Sequence, residues 1–141
     1  MILIDANVFM YAAGRESAQR APCQAYLQRL VEPNTPAVCT DAEVLQEILH
    51  RYKALGVPDI GFGLVDAITR LPIPVLPIAE ADVIEARRLM ERFEYLSARD
   101  SVHLGVMQQH GIERILSYDH VSYTHLRAHE TGSGISYSVL C

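Results

Sequence analysis

Short apolar runs alternate along this chain with longer segments whose apolar positions recur every three or four residues. Met1-Ile2-Leu3-Ile4 is an apolar run that ends on Asp5, and Arg114 to Ser117 is another, followed by Tyr118 and Asp119. Both predict strands that stop at a carboxylate. Ala37-Val38-Cys39 and Pro74 to Ile78 predict two further short strands. Between them, Ala6 to Gly14 predicts a helix or turn, and Glu16 to Val31 a helix with Ala21, Ala25, Leu27 and Leu30 as its apolar positions. Thr40 to Leu55 predicts a helix with Leu45, Ile48, Leu49, Tyr52 and Leu55 on one stripe. Helices are also predicted over Asp59 to Leu71, Ala79 to Phe93 and Ser97 to His110, the last closed by Gly111. The prolines of Glu32 to Pro36 mark a loop. Strands alternating with helices imply an α/β fold with a parallel sheet.

Composition narrows this picture. The 141 residues are enough for one α/β domain and too few for two, and with half of them hydrophobic a real core can form. A formal net charge of −5 disfavours broad adhesion to nucleic acid or an anionic membrane, but not a nuclease whose negative charge holds a metal. Cys23, Cys39 and Cys141 show no zinc spacing, and their odd number suits a reducing cytoplasm. The sequence shows no signal peptide and no run of transmembrane length, so no membrane association is expected.

Sites in open parallel sheets form at the carboxyl ends of strands. Asp5 and Asp119 both fall there, and like charges so placed repel unless a cation lies between them. Each acid also has a plainer reading. Asp5 could cap the next helix, and Asp119 could be a turn residue. Asn7 could orient Asp5, contact phosphate or favour the turn, and Ser117 could bond Asp119 or end the strand. Thr40-Asp41-Ala42-Glu43 fits a capping box, which explains Glu43 structurally. Glu47 has only an exposed pair with Arg51 to explain it and lies off the apolar stripe. Asp100 sits in a second capping-box pattern that starts at Ser97. His103, three residues on, could share a metal with Asp100. Arg87, Arg88, Arg92 and Arg99 form a basic run that could be a solvated face or a track for a nucleic-acid backbone.

Four segments together resemble the PIN-domain ribonucleases, in particular the VapC-type toxins of toxin–antitoxin pairs. They are Ile2-Leu3-Ile4-Asp5-Ala6-Asn7, Val44-Leu45-Gln46-Glu47-Ile48-Leu49, Arg99-Asp100-Ser101-Val102-His103-Leu104 and Ile115-Leu116-Ser117-Tyr118-Asp119. The resemblance covers Met1 to His120. It implies a PIN-like three-layer α/β/α domain over residues 1–120 with a short parallel sheet. It also implies a cytoplasmic, Mg²⁺- or Mn²⁺-dependent endoribonuclease with Asp5, Glu47, Asp100 and Asp119 as metal-binding and catalytic acids. Asn7 and Ser117 would support them, and Arg87, Arg88 or Arg92 would hold the RNA backbone. A cognate antitoxin and a homodimer are expected with it. The rivals are a non-catalytic interaction module on the same scaffold and a metal-dependent DNA nuclease or phosphatase.

Residues 121–141 break the pattern. Val121 to Thr131 resembles a reading-frame translation of a transposase-based sequencing adapter, and Ile135-Ser136-Tyr137 resembles its continuation. The expectation is a non-native tail in place of the family's ending, with the C-terminal strand missing.

Overall fold

The computed structural model describes residues 1–14, 17–118 and the backbone of 136–139. Strands β1 (Ile2–Ile4), β2 (Val38–Asp41), β3 (Val75–Leu76), β4 (Arg114–Ser117) and β5 (Ser136–Val139) form one sheet in the order β3-β2-β1-β4-β5. Every pairing is parallel, with Leu3 opposite Cys39 on one side and Ile115 on the other. The helices are α1 (Ala6–Ala13), α2 (Arg20–Arg29), α3 (Ala42–Ala54), α4 (Pro58–Arg70), α5 (Glu80–Arg92) and α6 (Ala98–His110).

Successive side chains of a strand point to opposite faces, so a central strand covered on both must be apolar throughout. β1 meets that demand. Ile2 and Ile4 pack with Val8, Phe9, Val44, Ile48, Tyr52 and Ile68 on the α1–α4 side. Leu3 packs with Cys39, Leu89, Leu104, Met107 and Ile115 on the α5–α6 side. The result is the expected three-layer α/β/α arrangement. Cys23 and Cys39 are buried free thiols, and burial pushes each up to about 11. Among the described residues no helix is long and apolar enough to cross a membrane.

Several details depart from the sequence reading. The segment Val38–Asp41 stays extended through Thr40, whose hydroxyl donates to the Ile4 carbonyl at 2.9 Å. The cap of α3 is therefore Asp41, which accepts from the Val44 amide at 3.0 Å, and not Thr40. The buried stripe of α3 is Val44, Ile48 and Tyr52, while Leu49 and Leu55 are exposed. Helix α2 starts at Arg20, with Pro22 in its first turn where a missing N–H costs nothing. Cys23, Tyr26, Leu27 and Leu30 face inward from this segment, and Ala21 and Ala25 are exposed. Gly111 closes α6 at φ 65, a left-handed turn that suits glycine.

The predicted absence of a last strand is not what the structure has. β5 lies parallel to β4, with Ile115 opposite Tyr137 and Ser117 opposite Val139. The free edge of β4 offers unpaired N–H and C=O groups to any extended segment without proline. Ser136-Tyr137-Ser138-Val139 has the two-residue alternation of a strand.

Candidate metal site

Three acids from three elements converge beyond the carboxyl ends of β1 and β4. Asp5 follows β1, Glu47 lies in the second turn of α3, and Asp100 in the first turn of α6. They line one cavity of about 410 Å³ together with Asn7, Tyr11 and Tyr118, whose two tyrosine rings meet edge to face at 5.2 Å. Asp119, the fourth acid expected here, lies outside the described residues, as does most of residues 121–141.

Asp5 is both cap and site residue. Its Oδ1 accepts from the Ala6 amide at 2.8 Å, which starts α1. Its Oδ2 accepts from the Ser117 hydroxyl at 2.8 Å. Asn7 Nδ2 donates to that hydroxyl at 3.0 Å, and Asn7 Oδ1 accepts from the Tyr118 amide at 3.1 Å. Asn7 thus orients Asp5 through Ser117, which ends β4 as one of its readings had it and also bonds Asp5, a contact neither reading held; the chain of hydrogen bonds ties β1 to β4. Burial drives the Asp5 carboxyl up to about 6. Glu47 and Asp100 push the same way, while His103 and the Ser117 hydroxyl pull against them.

His103 is fully buried beneath these acids, with its Nδ1 at 2.7 Å from Asp41 Oδ2. Its Nε2 faces Asp5 Oδ1 and Glu47 Oε2, each at 3.6 Å. Those distances are too long for hydrogen bonds, and neither Nε2 nor Glu47 Oε2 has another partner among the described residues. Burial alone would lower the His103 pKa. The Asp41 carboxylate outweighs it, with further pulls from Glu47 and Asp5, and the ring is held well above its ordinary value of 6.5.

Such unmet polar atoms suit a divalent cation. Asp5, Glu47 and His103 each offer a ligand atom, all within 4.8 Å of one another. Buried polar atoms without partners are costly, at about 1–3 kcal/mol each, and clustered carboxylates raise the cost further. A cation among them removes both penalties.

Glu47 does not face open solvent on α3; Arg99 Nη1 stands 3.9 Å from its Oε1. Glu43 is half-buried one turn earlier, its pKa raised by burial, and it does not line the cavity. The arginines of α5 lie elsewhere. Arg87 pairs with Glu91 at 2.7 Å, Arg88 Nε donates to Glu85 at 3.0 Å, and Arg92 stacks on the Phe93 ring at 5.0 Å. Arg87 lines a separate groove with Val83, Met90 and Val102.

The Asp41–His103 pair is what sequence reasoning missed. Asp41 reads as filler in a capping box, and nothing in its neighbourhood points to a helix 62 residues away. A weak signal did exist. His103 sits among Leu104, Val106 and Met107, and a histidine on an apolar helix face requires a buried partner.

Comparisons with known proteins agree with this architecture. The PIN domain profile matches residues 2–125. Ribonuclease VapC13 of Mycobacterium tuberculosis is 41% identical over 119 residues, covering 84% of this chain and 90% of that protein. Ribonuclease VapC23 of the same species is 40% identical over 123 residues, covering 85% and 94%. Among solved structures, M. tuberculosis VapC20, described as a sarcin-ricin loop cleaving toxin, superposes with a TM-score of 0.72 at 16% identity, covering 89% of this chain and 95% of its own. VapBC2 from Rickettsia felis, bound to a promoter DNA fragment, gives 0.70 at 12% identity, covering 99% and 98%. With most of its length matched by the profile and by relatives at this identity, the chain belongs to the PIN-domain family.

Proposed function

We propose that this protein is a metal-dependent endoribonuclease that hydrolyses RNA phosphodiester bonds as the toxin of a toxin–antitoxin pair. The observation that carries the reading is the convergence of Asp5, Glu47 and Asp100 on one cavity, with Asp5 too buried to ionise easily. The two relatives near 40% identity are both named ribonucleases. Asp5, Glu47, Asp100 and Asp119 are the acids that would hold Mg²⁺ or Mn²⁺. When bound, such an ion acidifies a water and offsets the charge that builds on the phosphate. The chain's own residues supply the frame. Ser117 and Asn7 fix the Asp5 carboxylate, and Arg99 steadies Glu47. The α5 arginines remain proposed contacts for RNA further from the cavity.

A toxin of this kind needs an inhibitor, and a complex of FitAB with DNA and a toxin–antitoxin complex from Klebsiella pneumoniae share the fold. The proposed partner is a small antitoxin that places a basic side chain among the acids, with the toxin as a homodimer in the cytoplasm.

The test is cleavage of matched RNA and DNA oligonucleotides with Mg²⁺, with Mn²⁺ and with chelator. RNA cleavage that needs the ion and spares DNA is expected. Cleavage undiminished in excess chelator, or preferred on DNA, would overturn the reading.

A further inference from the structure

His103 brings a nitrogen to a site whose other donors are all oxygens. Its place there is not that of an ordinary core histidine. Such a residue satisfies both ring nitrogens, because a buried polar atom left alone is costly. Here only Nδ1 is satisfied, by Asp41 Oδ2 at 2.7 Å. Nε2 is buried without a hydrogen-bond partner among the described residues and aims between Asp5 Oδ1 and Glu47 Oε2.

The spacing of these atoms is that of ligands around an ion. Nitrogen and oxygen ligands bind transition ions at about 2.0–2.2 Å, which separates adjacent ligand atoms by roughly 3–3.5 Å, less in an octahedral shell than in a tetrahedral one. The two 3.6 Å gaps from Nε2 are close to that range. Asp5 Oδ1 has lone-pair capacity left, since among the described residues it accepts only the Ala6 amide as a hydrogen bond. Among the same residues Glu47 Oε2 accepts none. Behind the ring stands the carboxylate that metal-bound histidines usually have. An acceptor on Nδ1 keeps a proton there, so the proton that an incoming ion displaces is the one on Nε2.

We propose that His103 Nε2 is a direct ligand of the ion held by Asp5 and Glu47, with Asp41 positioning its ring. The proposal rests on the metal-dependent reading above. It adds a selectivity: a nitrogen donor favours transition ions, with Mn²⁺ the weakest of them, over Mg²⁺, which prefers an octahedral shell of oxygens. The mixed donor set favours Mn²⁺ over Mg²⁺.

Pulsed EPR of Mn²⁺ bound to the full chain tests this directly. A ¹⁴N coupling from a directly bound imidazole is expected in the wild type, and His103→Gln should lose it. Asp41→Asn can still cap α3. It should keep the coupling while weakening Mn²⁺ binding about 10-fold, at the low end for loss of an outer-shell partner. In competition titrations, the preference for Mn²⁺ over Mg²⁺ should shrink in His103→Gln. The wild-type spectrum decides even if His103→Gln fails to fold. Stoichiometric Mn²⁺ without nitrogen coupling would leave His103 as a buried counter-ion, overturning the inference while the metal reading stands. No Mn²⁺ binding at all would overturn both.

Discussion

Asp5 caps α1, accepts from Ser117 and shares a buried corner with Glu47 and His103. Its charge is a burden on the metal-free fold, and the pH dependence follows. The folded-state value of about 6 lies above the ordinary 3.8, so between those values the folded chain keeps a proton that the unfolded chain has lost. The stability this confers is present below pH 3.8 and is lost as the pH rises through 6. Asp5→Asn keeps the cap and removes the charge. Without metal it should therefore stabilise the protein at pH 7.5 by on the order of 1–3 kcal/mol and change little at pH 4. Thermal melts at both values check this, and an equal gain at both would show that burial of charge is not the cause. The same variant should cleave no RNA. Glu47→Gln should lose both ion binding and turnover, whereas Glu43→Gln, one turn away and off the cavity, should stay near wild type in a metal titration. At this scale Asp5 and Asp100 were legible because strand ends and first turns are fixed positions in a parallel sheet. Glu47 could be separated from Glu43 because only Glu43 fitted a local cap. The Asp41–His103 contact was not legible, because it depends on how α6 docks against the end of β2.

At the scale of elements, the sequence pattern located the six helices of the described residues, the first only as a helix or turn, with ends that matched or were off by up to four residues. The misreadings share a cause. The stripe of α3 was read from the largest apolar residues, but Val44 joins the core cluster with Ile4, Phe9 and Ile68, and Leu49 and Leu55 stay outside. Thr40 was read as a cap because its hydroxyl suits one, but pairing of β2 with β3 extends the strand past it. Gly105 shows how closely α5 and α6 approach, since a Cβ there would strike the Asp82 carbonyl oxygen. Gly105→Ala should destabilise the protein by about 1–3 kcal/mol, as overpacking does, and a chemical-denaturation curve with unchanged slope would register it. A loss under 0.5 kcal/mol would mean that the two helices slide apart cheaply. We also propose that residues 121–141 are foreign to the domain, with β5 a segment that found the open edge of β4. Ordering each strand residue costs about 1–2 kcal/mol of backbone entropy, and each ladder hydrogen bond returns about 0.5–1.5 kcal/mol. The two nearly cancel, so removing residues 121–141 should shift stability by less than about 1 kcal/mol. A loss of several kcal/mol on truncation would show that the segment is an integral part of the fold.

In the whole molecule the site belongs to no single stretch of chain. β1 is central in the sheet, with β2 on one side and β4 on the other. Asp5 comes from the first strand, its Ser117 partner is 112 residues later, and Glu47, Asp100 and His103 come from helices between them. The crossover pattern made the family legible from four short motifs, because the topology brings the three described acids, Asp5, Glu47 and Asp100, to one edge. That same strand order has a consequence for the cell that makes the protein. A nascent chain on the ribosome cannot complete its centre until Ser117 has left the exit tunnel, because β4 closes the frame around Asp5. A chain that stops short of β4 therefore lacks the hydroxyl that orients Asp5, whatever else of the domain it has built.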